Sequence, residues 1–177
     1  MKLSWLYCFL VLVFSQFALT TESNFEQYKL GSGDVINIAV FGQSDLSMTI
    51  KIPHLGVMNY PFLGDVAVIG LTGSQLESTI YRGLLGDYLV NPSVSVTIEE
   101  YRPFFISGEV EKPSGYPYQP GLTVDKAAAL AGGYTERASK FKIIIRRELN
   151  GQQSNINAGP NDVVLPGDIV TIQQSFF

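Results

Sequence analysis

Short runs of alternating apolar and polar residues, punctuated by glycine and proline, fill the chain beyond residue 25 and fall into two sets. The first begins with the glycine turn Tyr28-Lys29-Leu30-Gly31-Ser32-Gly33-Asp34 and runs on through Val35, Ile36, Asn37, Ile38, Ala39, Val40 and Phe41. Gly31 and Gly33 permit positive φ in that turn, and a run apolar on both faces predicts a central strand. Extended segments follow at 48–52 and 57–60, and Gly64-Asp65 opens another at 66–69. The period then changes. Thr72 stands as a helix cap with Gln75 three residues on, Leu76, Ile80 and Leu84 recur every four residues, and Gly86 follows the last turn, a capping-box helix with one core-facing stripe. Asn91-Pro92 then breaks the chain before a half-exposed strand of Val94, Val96 and Ile98 alternating with Ser95 and Thr97.

The second set starts with a strand over 104–110, turns at Lys112-Pro113-Ser114-Gly115 and resumes at Tyr116. Thr123 caps a short helix over 124–130, with Asp125 in the first turn where the helix dipole favours an anion. Ala131-Gly132-Gly133-Tyr134 stops it. A strand over 141–149, a polar loop over about 150–160 and a last strand over 168–172 complete the reading. The expected class is α+β.

At 177 residues with 17 glycines and 9 prolines, the chain has room for two small cores joined by many turns. Its formal net charge of -4 leaves no basic footprint for nucleic acid and no net attraction for an anionic polymer. The N-terminus has the layout of a secretory signal peptide over residues 1–20: Lys2, an apolar core densest between Trp5 and Phe14, and Ala18 and Thr20 near a cleavage point. An uncleaved anchor is the rival, since the stretch approaches the roughly 17–25 residues that span a bilayer. Cys8, the single cysteine, lies inside the apolar core behind Trp5-Leu6-Tyr7, where it reads as a small hydrophobe rather than a lipidation site, and no disulfide is expected.

The ordered motifs Tyr28, Gly31, Gly33 and Asp34; Gly70-Leu71-Thr72; Asn91-Pro92; Gly108-Glu109-Val110; Pro113, Gly115 and Tyr116; Ala131-Gly132-Gly133; and Pro166-Gly167-Asp168 resemble the bacterial polysaccharide biosynthesis/export family. The resemblance implies a polysaccharide export domain over 25–100, a mixed sheet with one helix, followed by an SLBB module, a soluble ligand-binding β-grasp unit, over 101–177. It implies an exported, periplasmic or outer-membrane-associated protein, and a homo-oligomeric ring, commonly an octamer, that conducts exopolysaccharide or capsule polymer. The implied partners are the polysaccharide, an inner-membrane co-polymerase or tyrosine autokinase, and a separate outer-membrane β-barrel, because no amphipathic membrane helix follows residue 172 and a spanning element must satisfy its own backbone. A monomeric carbohydrate-binding or adaptor module of the envelope is the alternative. Where many relatives have Asp-Gly, this chain has Leu55-Gly56, which keeps the turn glycine and loses a carboxylate.

Catalytic, cofactor and metal sites are not expected. His54 is the single histidine, and Ser32 precedes a strand rather than the helix of a nucleophile elbow. Asp34, Asp65 and Asp168 each follow a glycine and precede Val or Ile, which suits aspartates bonded to their own turns better than a glycosidase pair. No histidine–cysteine cluster supports zinc. Tyr101, Phe104, Phe105, Tyr116 and Tyr118 suit core or interface before sugar stacking. Phe176 and Phe177 suit docking on a neighbouring subunit. Arg137, Lys140, Lys142, Arg146 and Arg147 form a basic group facing solvent, a ring contact or an acidic polymer.

Overall fold

The computed structural model describes residues 28–149 and 151–175. The leader with Cys8, and the terminal Phe176 and Phe177, lie outside the described residues.

Two hydrophobic clusters organise the chain, one on each side of residues 101–103. In the first module β1 (Val35–Val40) is the middle strand of an antiparallel three-stranded sheet, between β2 (Met48–Lys51) and β5 (Val94–Glu100). Its position is central as the pattern predicts, but only one face is covered: Ile36, Ile38 and Val40 are buried while Ala39 is exposed. A separate hairpin joins β3 (Val57–Tyr60) to β4 (Gly64–Ala67). Helix α1 (Gly73–Leu84) forms where expected. Thr72 accepts from the Gln75 amide and the Gln75 side chain accepts from the Thr72 amide, so two otherwise orphaned amides are satisfied reciprocally. Leu76, Ile80 and Leu84 are fully buried. Each contributes at most about 1.5–3 kcal/mol by leaving water.

In the second module a five-stranded sheet has the order β7 (Ser114–Tyr116), β6 (Phe104–Gly108), β10 (Ile169–Gln174), β8 (Ala138–Leu149), β9 (Gln152–Ala158). β10 pairs parallel to β6 and antiparallel to β8. Helix α2 (Val124–Leu130) packs Val124, Ala127 and Ala128 on the buried face. The α+β class therefore holds. The polar loop expected over 150–160 is corrected: most of it is β9, an edge strand that pairs along β8 from Ile143↔Ala158 to Leu149↔Gln152. Its side chains from 152 to 157 face water, so it carries no apolar alternation to read. Among the described residues no helix is long and apolar enough to cross a membrane.

Candidate functional site

Both modules lead into a sheet strand with the same device. In Gly31-Ser32-Gly33-Asp34 and in Leu165-Pro166-Gly167-Asp168, a glycine at positive φ, 94° at Gly33 and 85° at Gly167, precedes an aspartate. The carboxylate turns back to accept the amide three residues earlier, Gly31 N at 2.8 Å and Leu165 N at 2.7 Å. The third Gly-Asp pair differs: Asp65 lies exposed on β4 and accepts from the Asn59 side chain across the hairpin.

Asp34 and Asp168 are 0% and 1% exposed. A carboxylate so far from water must be both paired and hydrogen-bonded. Arg147 grips Asp168 with Nε at 2.9 Å and Nη2 at 2.7 Å, a bidentate fork. This hydrogen bonding raises the Arg147 pKa above its ordinary value, against the opposing effect of burial. Asp34 receives four donors: Gly31 N, the Tyr28 hydroxyl at 2.7 Å, Arg102 N at 2.7 Å and Arg102 Nη1 at 3.1 Å. Burial first, and then the Asp34 charge, push the Tyr28 hydroxyl pKa far above its ordinary value; the Arg102 charge opposes this.

Arg102 ties the modules together. Its guanidinium passes so close to Gly31 that a Cβ there would overlap it, and a Cβ on Gly167 would sit 2.8 Å from its Nε. One glycine turn from each module therefore makes room for one side chain. Beside it Tyr28 meets Tyr101 edge-on at 5.0 Å, and Tyr101 meets Tyr118 edge-on at 5.3 Å, an aromatic line from one module to the next. On the second-module side, Gly167 N donates to Pro103 O at 3.2 Å and Phe105 N to Asp168 O at 2.8 Å, which fixes the Asp168 turn beside Arg102.

The structure thus gathers Tyr28, Gly31, Gly33 and Asp34 with Pro166, Gly167 and Asp168 at this joint, Pro166 being buried. Gly70, Leu71 and Thr72 adjoin it: Gly70 N donates to Leu30 O and Leu30 N to Leu71 O, each at 2.9 Å. Asn91 and Pro92 lie at the far end of the first module, before β5. A second group holds the opposite part of the second module. Glu109 accepts the Thr135 amide and hydroxyl, Glu111 N donates to Gly133 O, and Lys112 N donates to Ala131 O. Val110 is buried, Gly132 and Gly133 hold positive φ, and Tyr116 donates its hydroxyl to Lys112 O beside Pro113. Gly108, at φ 84°, abuts the Ile172 carbonyl so closely that no Cβ fits. Gly115 lies under the Phe105 ring.

Of the five aromatics, Phe104 is fully buried, Tyr101, Tyr116 and Tyr118 are half-buried, and Phe105 is exposed. Arg147 leaves the basic group for its internal pair with Asp168. His54 is exposed in the 53–56 turn and makes no hydrogen bond with Ser32 or a carboxylate among the described residues. Among those residues no cluster of His, Cys, Asp and Glu is arranged to hold a metal. The sequence pattern does not single out Arg102, and it places Arg147 with the outward basic group; their partners lie 68 and 21 residues away. The only local trace of Arg102 was a pair of small residues, Gly31 and Gly167, with a space to fill.

Residues 22–99 match the family described as polysaccharide biosynthesis/export protein, and residues 103–157 match the SLBB domain. The chain is similar to the exopolysaccharide production protein ExoF of Rhizobium meliloti, 34% identical over an alignment of 141 residues that covers 72% of this chain and 31% of that one. It is also similar to the polysialic acid transport protein KpsD of Escherichia coli, 28% identical over an alignment of 136 residues that covers 73% of this chain and 24% of that one. The chain therefore aligns with less than a third of either relative.

Proposed function

The chain belongs to the polysaccharide biosynthesis/export protein family, and from that premise we propose that it is a ring-forming subunit through which exopolysaccharide or capsule polymer passes out of the cell. It works in the periplasm or at the outer membrane, delivered by its leader. The mechanism is passive. Subunits close a ring wide enough for a hydrated chain, and direction comes from synthesis and from an inner-membrane co-polymerase or tyrosine autokinase. A separate outer-membrane β-barrel completes the path.

The observation that supports this reading is the Arg102 joint. A ring of two-module subunits needs one angle between its modules, because a flexible subunit has no single rotation with which to close. Here a half-buried ion pair, two glycine turns and three edge-packed tyrosines oppose bending at residues 101–103. Motif residues such as Gly33, Asp34, Gly167 and Asp168 act in this reading by shaping the subunit and not by touching polymer.

Gene deletion tests the proposal, with surface and released polysaccharide measured against polymer retained in the cell. Loss of surface polymer, restored by the intact chain, is expected. Undiminished export in the deletion strain would overturn conduction, and a strictly monomeric chain would favour the adaptor.

A further inference from the structure

β1 leaves the joint after Asp34 and ends at Val40, so Phe41, the next residue, marks the far end of the first module. Two more loops meet it there. The Phe41 amide donates to Ser93 O at 2.9 Å, close after Val90, and the Tyr88 hydroxyl donates to Phe62 O at 3.3 Å while the two rings stack at 4.7 Å. Phe41, Phe62 and Val90 are 87%, 63% and 93% exposed. Phe62 is also held against its backbone preference. It occupies the third position of the turn Tyr60-Pro61-Phe62-Leu63, closed by Leu63 N to Tyr60 O at 3.2 Å, with φ at 64°. That position calls for glycine or asparagine, and Phe62 is the one non-glycine residue with positive φ among the described residues. A strained, half-wet aromatic contributes little to the core, which points to a contact outside the subunit. These loops carry Asp45, Asp65 and Asp87 and no cation, and Arg82 of α1 turns its Nε back to Ser78 O.

The complement stands at the other end of the subunit. β10 leaves the joint at Asp168 and ends at Gln174, which pairs with Ala138 of β8. β9 joins β8 only from Ile143 onward. The stretch between carries Phe141, 96% exposed and the most exposed large apolar residue among those described, flanked by Lys140 and Lys142. Lys140 reaches over the Tyr134 ring at 5.1 Å, and Arg137 precedes.

We propose that the Lys140-Phe141-Lys142 finger of one copy docks on the Phe62–Tyr88 end of the next. The inference rests on the ring-forming reading and names its contact. The two surfaces are apolar at the centre and opposite in charge at the rim, and their places at opposite ends make the contact heterologous, the type that repeats around a ring. An anionic polymer or lipid surface would be repelled by the acidic end.

The test is sedimentation of the full chain carrying charge exchanges at each surface. K140E/K142E and D45K/D87K should each sediment as monomers while keeping the folded far-UV circular dichroism of the wild type. Mixed one to one, they should assemble again, because each exchanged surface then meets its opposite. F62G should weaken assembly about tenfold or more without lowering the melting temperature, since glycine relaxes the turn. A mixture that stays monomeric overturns the proposal. Wild-type assembly in both variants overturns it while leaving the ring reading intact, and a wild type monomeric at every concentration overturns both. Loss of alginate binding by K140E/K142E with assembly unchanged would reassign the finger to polymer and overturn it too.

Discussion

Removing either joint arginine strands a buried carboxylate, yet the two losses should differ in size. In Arg147→Ala, Asp168 loses both arms of its fork and keeps only the Leu165 amide at 2.7 Å. Breaking a buried pair by removing one partner costs about 3–5 kcal/mol, and with a single donor left the loss should fall within that range. In Arg102→Ala, Asp34 loses one donor at 3.1 Å but keeps three: the Gly31 amide, the Tyr28 hydroxyl and the residue-102 backbone amide itself, which alanine also supplies. The Arg102 side chain is also 27% exposed, so water screens part of the pair. A hydrogen bond to a charged group contributes about 1.5–3 kcal/mol, and the expected cost is near the lower end, about 2 kcal/mol. Urea unfolding followed by far-UV circular dichroism gives both values, with the two modules checked for a single transition. If Arg102→Ala proved as costly as Arg147→Ala, counting the donors left on each carboxylate would be the wrong way to rank these pairs.

Gly31→Ala places a methyl where the Arg102 guanidinium lies, so it should destabilise the wild type by about 1–2 kcal/mol and cost much less in an Arg102→Ala background; a double-mutant cycle reads the coupling. Tyr28 keeps its proton more firmly when folded, because burial raises its pKa. The folded chain therefore holds a proton that the unfolded chain releases above about pH 10, and this contribution, intact below that pH, is lost as pH rises at up to about 1.36 kcal/mol per unit. Melting curves from pH 8 to 11.5 should show the wild type losing more stability above pH 10 than Tyr28→Phe does. Gly108→Ala combines a positive φ with a clash against the Ile172 carbonyl and should cost about 2 kcal/mol or more, or prevent folding. Thr72→Ala removes half of the capping box and should cost about 1 kcal/mol in the same unfolding assay.

What was legible in the sequence was local. The Thr72–Gln75 box and the Leu76, Ile80, Leu84 stripe lie within one helix, so spacing alone locates them, and all are found as read. The turns at Asp34 and Asp168 were legible for the same reason, since each carboxylate bonds three residues back. β9 was not, because Gln152 to Asn157 faces water and its pairing is dictated by β8 across the Gly151 turn. Phe62 was hidden in another way, since a turn that calls for glycine carries a phenylalanine there and the local signal is reversed. Arg102 and Arg147 act over distances that no local period records.

The joint also decides where this chain can be cut. The two family matches leave residues 100–102 to neither side, and a fragment of the first domain would naturally stop there. Yet Arg102, by backbone amide and guanidinium, supplies two of the four donors to Asp34. A fragment ending at residue 99 would leave that buried carboxylate half-satisfied and uncover Tyr28. Ownership and position have parted here: a residue that lies beyond the first domain's match completes that domain's interior. Inserting or deleting one residue between 100 and 103 would therefore damage the first domain as well as its coupling to the second, and a domain exchange at this boundary would succeed only if the incoming segment brought its own arginine.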